Sequence, residues 1–177
     1  RPTALVDVSE NGEVVSRFSH DGIVEFYNEA TGRPVAAFNL GLQIDTIQRT
    51  YPLVDLYAIV DPQGTLHFVR SQHIVDFVDG QRQLESSVDF PFGRNGIEIG
   101  TISALDTHLF DGELMVAAAQ DTALVLRKYA NTELGFDLGT ARQVTLNAGF
   151  VVTKLFIGPR NQWLYALGDA GEIEIFG

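Results

Sequence analysis

One module recurs four times along the 177-residue chain, and no other feature restricts the fold as much. It consists of an apolar run, a short turn, a second apolar run, an Asp-Gly-like turn and an alternating run. The first copy spans Ala4 to Tyr27. The second joins Ile44–Ile47 to Leu56–Val69, the third Ile102–Leu105 to Leu114–Leu126, and the fourth Val152–Phe156 to Trp163–Phe176. The second turn of the module falls at Gly22, Gly64, Thr122 and Gly171, in steps of 42, 58 and 49 residues. An insertion around Arg70 to Arg82 accounts for the longest step. Tandem units of about 40–50 residues characterise propeller blades.

Each copy reads as strands. Ile23 to Tyr27 and Ile173 to Phe176 mix β-branched and aromatic residues in partial alternation. Asn11-Gly12, Asp21-Gly22 and Asp111-Gly112 are hairpin signals, because Asn and Asp tolerate left-handed φ and Gly adopts it freely. A fourth strand follows at Pro34–Leu40, Leu84–Phe92 and Arg142–Leu146, with Thr31-Gly32 as the turn before it in the first copy. The fourth copy ends before such a strand. No long segment carries a 3.6-residue period, so almost no helix is expected. A β-sandwich would not repeat one module four times. The expected fold is all-β: a partial β-propeller of about four blades of four antiparallel strands, the last incomplete within the chain. It reads as one propeller-type domain with modules at about 3–41, 42–100, 101–150 and 151–177.

Composition excludes several function classes. A net charge of −11, without a Lys/Arg cluster, argues against nucleic acid and against an anionic lipid surface. The absence of cysteine excludes disulfides, thiolate metal sites and cysteine catalysis. No run approaches the roughly 18 apolar residues of a membrane span, and no signal-peptide pattern is present. The chain enters a strand pattern directly after Arg1-Pro2-Thr3 and stops directly after another at Phe176-Gly177, so both ends read as cuts inside a longer protein.

Ser9-Glu-Asn-Gly12, Asp21-Gly-Ile-Val-Glu-Phe-Tyr27 and Thr31-Gly-Arg-Pro-Val35 together resemble a WD40-type blade, with Phe26-Tyr27 standing where that pattern has Trp-Asp. Gly158-Pro-Arg-Asn161 and Asp169-Ala-Gly-Glu-Ile-Glu-Ile-Phe176 resemble the same pattern in the last copy. The family's Gly-His pair is absent, and with it the expectation of the family's hydrogen-bond tetrad. The stretch Leu164 to Phe176 is also similar to the propeller-like extramembrane domain of bacterial phosphate ABC-transporter permease subunits. That resemblance implies a periplasmic domain of an inner-membrane importer. A cytoplasmic location is the alternative.

The candidate chemical residues have structural readings. His20, His67, His73 and His108 show no metal-ligand spacing; His20 falls in a turn, and His67, between Leu66 and Phe68, on the outward face of a strand. Asp21, Asp61, Asp121 and Asp169 recur at one point of the module, where a carboxylate ring could bind a cation. Turn hydrogen bonding suffices to explain them, and no Asp-x-Asp-x-Asp calcium loop is present. Glu25, Glu172 and Glu174 could suggest paired glycosidase acids. Alternation with Ile173 and Ile175 instead places Glu172 and Glu174 on a solvent face. Gly93-Arg94-Asn95-Gly96 is a polar loop that could receive an anion at a channel mouth, or be a plain turn. Phe18, Phe26, Tyr27, Phe68, Phe90, Phe92 and Phe176 read as core filler. No catalytic, cofactor-binding or metal residue is assigned, no cofactor is expected, and ligand-binding residues are unknown.

An open array of blades exposes an apolar face at each end, so self-association is expected. The functional expectation is a non-catalytic interaction or regulatory domain of a membrane transport system, partnered by proteins or by other domains of the transporter. Two alternatives stand: a propeller hydrolase or lyase with its site in other blades, and a cytosolic WD40-like scaffold.

Overall fold

The turns of the module reverse the chain into antiparallel strands throughout the computed structural model, which describes residues 2–132, 135–136 and 141–177. The first sheet is β1 (Thr3–Val8), β2 (Val14–Ser19), β3 (Ile23–Asn28) and β4 (Pro34–Asn39), in that order. The second is β5 (Thr46–Arg49), β6 (Leu56–Val60), β7 (Thr65–Val78) and β8 (Gln81–Asp89), with the short β9 (Ile97–Glu98) on β7. In the third, β10 (Ala104–Phe110), β11 (Glu113–Gln120) and β12 (Ala123–Thr132) lie in order; β13 (Gly135–Phe136) and β14 (Arg142–Asn147) both pair with β12. The fourth is β15 (Lys154–Ile157), β16 (Leu164–Leu167) and β17 (Ile173–Phe176). The protein is thus all-β, a partial propeller whose last sheet has three strands.

The hairpin signals act as expected. Asp111 (φ 48°) and Gly112 (φ 72°) are both left-handed between the paired Phe110 and Glu113, a two-residue turn matched to strand twist. The glycine of the second turn has a further cause. Each return linker crosses this turn and bonds to it: Leu40 N–H donates to the Gly22 carbonyl at 2.9 Å, and Ile99 N–H to the Gly64 carbonyl at 2.9 Å. A Cβ on Gly22 would overlap the Leu42 carbonyl oxygen, so a side chain there would expel the linker.

The segment around Arg70 to Arg82 is not a looped insertion. β7 continues for 14 residues and pairs with β8 from Arg70↔Asp89 to Val78↔Gln81, closing at Asp79-Gly80. Ile74, Val75, Phe77 and Val78 favour extended backbone, which explains why the excess length is a ribbon.

Three apolar clusters hold the sheets face to face. Phe18, Val24 and Phe26 meet Tyr57, Ile59 and Val69 between the first and second sheets. Leu56, Ala58, Leu66 and Phe68 meet Leu105, Leu114, Val116 and Tyr129 between the second and third. Met115, Ala117 and Leu124 meet Val152, Leu155, Leu164 and Ala166 between the third and fourth. None of the three joins the fourth sheet to the first, so the sheets form an open arc.

Alternate residues of an inner strand therefore serve two seams, as Leu114, Val116 and Ala118 do on one face of β11 and Met115, Ala117 and Ala119 on the other. This corrects the expectation for His67. In an inner sheet both faces are covered, and His67 is buried, 8% exposed. The last sheet corrects the reading of β17. Register places Glu174 and Phe176 on the face of Leu155 and Leu164, toward the third sheet, while Ile173 and Ile175 point to solvent.

Candidate functional site

The polar groups gather at the seams. Asp7, between Val6 and Val8 of β1, reaches across to the second sheet. Arg49 Nε and Nη2 donate to its two oxygens at 2.6 and 2.7 Å, and the Tyr57 hydroxyl donates at 2.9 Å. Burial pushes the Asp7 carboxyl up, but Arg49, Tyr57 and the Val8 N–H outweigh it and hold it below the ordinary carboxylate range. Burial, together with the bond to Asp7, pushes the Tyr57 phenol up. Between the second and third sheets, Thr50 and Thr107 share a buried hydroxyl–hydroxyl bond of 2.9 Å.

The third seam uses a different acid. Asp106 on β10 accepts the Ile157 N–H of β15 at 2.6 Å and the Thr107 N–H at 3.0 Å. Among the described residues no salt bridge reaches it, and burial raises its pKa against the pull of the Ile157 and Thr107 N–H groups and of His108. Beside it, His108 Nδ1 and Asn161 Oδ1 lie 2.8 Å apart, and Asn161 Nδ2 donates to the Glu113 carbonyl at 3.0 Å.

Two clefts open at opposite ends of the first seam. One, of about 700 Å³, is bordered by the β1–β2 turn and floored by Ser16, Tyr57 and Ser71, with His73 and Asp55 on its wall. His73 sits edge-on to Phe26 at 4.7 Å with Nδ1 2.7 Å from the Ser86 hydroxyl; burial lowers its pKa against the pull of Asp55. The other, of about 750 Å³, is bordered by Asp21, Asp61, His67 and Arg94.

Of the polar loop 93–96, Arg94 borders that second cleft. Arg94 lies 4.2 Å over the Phe90 ring and donates to the Leu40 carbonyl at 3.2 Å. It straps two linkers together beside two carboxylates, an environment of mixed charge rather than an anion cradle. His67 Nε2 and Asp61 Oδ2 are 3.1 Å apart, while Asp61 Oδ1 accepts the Gln63 and Thr65 N–H groups at 3.0 and 2.9 Å. Burial opposes the ionised Asp61, but the Thr65 N–H, His67 and the Gln63 N–H outweigh it and lower its pKa.

The four recurring aspartates do not share a position. In the four-residue turns Ser19–Gly22, Asp61–Gly64 and Gly168–Gly171, Asp stands third, first and second respectively, and Asp121 is itself left-handed in a two-residue turn. Their carboxylates therefore point differently, and the described residues hold no cluster of three acidic or imidazole groups fit for a metal. His20 Nδ1 lies 2.7 Å from the Ile44 carbonyl and anchors a linker. Glu25 pairs with Arg17 at 3.1 Å and accepts the Tyr27 hydroxyl at 2.6 Å. Glu174 accepts the Gly149 N–H at 3.2 Å and Glu172 the Ala170 N–H at 3.1 Å, so both serve turns.

Sequence reasoning passed over Asp7, Arg49, Asp106 and Asn161. A signal was present for Asp7: a carboxylate inside the first apolar run of its module needs a partner from elsewhere.

No protein-family model matches the chain, and no curated protein matches it. Among solved structures it is similar to the computationally designed Ika4 protein, at 14% identity and a TM-score of 0.54, over 98% of this chain and 89% of that one. It is also similar to the β-propeller domain of Myceliophteria thermophila Cps50 (Swd1), at 12% identity and a TM-score of 0.62, over 98% of this chain and 53% of that one. The chain spans about half the length of the latter. The likeness is one of fold, and the class is that of propeller-type all-β proteins. No helix among the described residues is long and apolar enough to cross a membrane.

Proposed function

We propose that this is a non-catalytic interaction or regulatory domain, the soluble extracytoplasmic part of a membrane transport system of the phosphate ABC-permease type. One observation carries the non-catalytic half. The polar groups brought together at the seams, Asp7–Arg49–Tyr57, Asp106–Ile157 and His108–Asn161, are bonded to each other or to backbone, and His67 Nδ1, left without a partner beside a cleft, is buried. A general acid or base needs a free edge toward a substrate. The transport setting is supported by the resemblance of Leu164 to Phe176 and is a matter of sequence alone.

The two halves have separate tests. For the setting, the encoded protein carries an apolar span of about 20 residues on a flank of this segment; its absence from both flanks would overturn the setting. For the non-catalytic half, the purified chain turns over no ester, glycoside or polyuronate substrate. Turnover that disappears in His67→Gln or Asp106→Asn would overturn it.

A further inference from the structure

The outer face of the last sheet is not built like a solvated sheet surface. On the last sheet, register sets Lys154, Leu167 and Ile173 in one row and Phe156, Tyr165 and Ile175 in the next, all turned away from the third sheet. Phe156, Ile173 and Ile175 are 51%, 63% and 54% exposed. A solvated antiparallel face carries polar side chains. Apart from Lys154 on β15, this one has the apolar character of the inner seams.

The outer face of the first sheet is of another kind. Val6, Arg17, Glu25 and Ala37 form one row, and Val8, Val15 and Tyr27 the next. Its charge is neutralised in place: Arg17 pairs with Glu25 at 3.1 Å and donates to the Thr3 hydroxyl at 2.9 Å, and Tyr27 donates to Glu25 at 2.6 Å. Such a face can be covered without leaving a lone buried charge.

We propose that a second copy of this chain covers both faces, the last sheet of each copy packing on the first sheet of the other in a two-fold ring of eight sheets. Continuity with the existing seams supports this occupant. Every inner seam places one sheet's face on the next sheet's face in chain order, and a first sheet is the element that follows a last one. The count agrees, because eight lies within the 4–8 blades of known propellers. The size agrees as well, because the chain overlays 53% of a propeller domain with 98% of itself. A two-fold ring forms the new seam twice, so each needs to bury only about 600–1,000 Å² for the pair to reach the ~1,200–2,000 Å² of a stable complex. The inference rests on the reading of the chain as an interaction domain and names its first partner.

The test is the mass of the chain by light scattering across a wide concentration range, with variants at both faces. Wild type gives twice its 19.4 kDa. Ile175→Lys and Val6→Lys each bury an unpaired ammonium at the new seam, weaken the dimer by roughly 100-fold or more, and give monomers with unchanged circular dichroism. Phe77→Lys, on the exposed tip of the β7–β8 ribbon, leaves the dimer as it is. A wild-type monomer at every concentration, or a dimer that survives Val6→Lys or Ile175→Lys, would overturn the proposal. None of these outcomes touches the flanking-sequence test, so the two readings fail separately.

Discussion

The first seam and the third seam solve one problem in two ways. Each joins two apolar sheet faces, and in each an aspartate on the first strand of its sheet reaches across. Asp7 meets a cation and a phenol, so its carboxylate is favoured in the folded state. Asp106 meets two backbone N–H groups and the lesser pull of the His108 ring, which do not outweigh burial, so its charge is disfavoured. The lesson concerns what a seam acid needs. Backbone donors can satisfy its geometry, but a cation decides whether it is stable when ionised.

The largest effect that would break the comparison is apolar. Phe18→Ala empties a fully buried site against Tyr57, whose ring centroid lies 4.7 Å away, and is expected to cost about 3–5 kcal/mol in urea unfolding. Asp7→Ala leaves Arg49 and Tyr57 without their partner. Arg49 is about one-third exposed and regains water, so the expected loss is about 2 kcal/mol. Asn161→Ala strips His108 and the Glu113 carbonyl of buried partners at the third seam and is expected to cost about 1–2 kcal/mol. Asp106→Asn should be the mildest, within about 1 kcal/mol near neutral pH, because a neutral side chain can still accept the Ile157 N–H. If Asp106→Asn cost more than Asp7→Ala, the contrast between the seams would be wrong.

Titration sharpens the same contrast, and the signs are opposite. Asp7 has a lowered folded pKa, so its stabilisation is present above the unfolded carboxylate range and is lost as pH falls through the folded value. Asp106 has a raised folded pKa, so its stabilisation is present below the unfolded value and is lost as pH rises through the folded one. Unfolding of Asp7→Asn followed against pH should therefore show a shallower acid loss than wild type, and Asp106→Asn a smaller decline as pH rises from the acid side. Equal slopes in both variants would contradict the assignment.

The repeat was legible because turns are local. Asp111-Gly112 needs nothing beyond its own φ angles, and Gly22 and Gly64 mark the same crossing of a linker. The positions misread were those whose environment comes from another sheet. His67 alternates as an exposed residue would, yet register sets it beside Ile59 on a face that another sheet adjoins, and it is buried. Ile175 and Glu174 alternate cleanly, but alternation does not say which face has a neighbour. The seam network around Asp7 was out of reach for a similar reason. Arg49 lies 42 residues along the chain, and only the stacking of two sheets makes them partners.

The central claim is that the four sheets form an open arc whose end faces meet in a second copy. The chain has no cysteine, so the double variant Val6→Cys, Ile175→Cys carries its only two thiols, one on each end face. Treatment with a short bismaleimide, followed by a denaturing gel, reads the partnership directly. The arc predicts a cross-linked product at the mass of two chains. A product bridged within one chain, with no dimer, would mean that the four sheets close on themselves and would contradict the account.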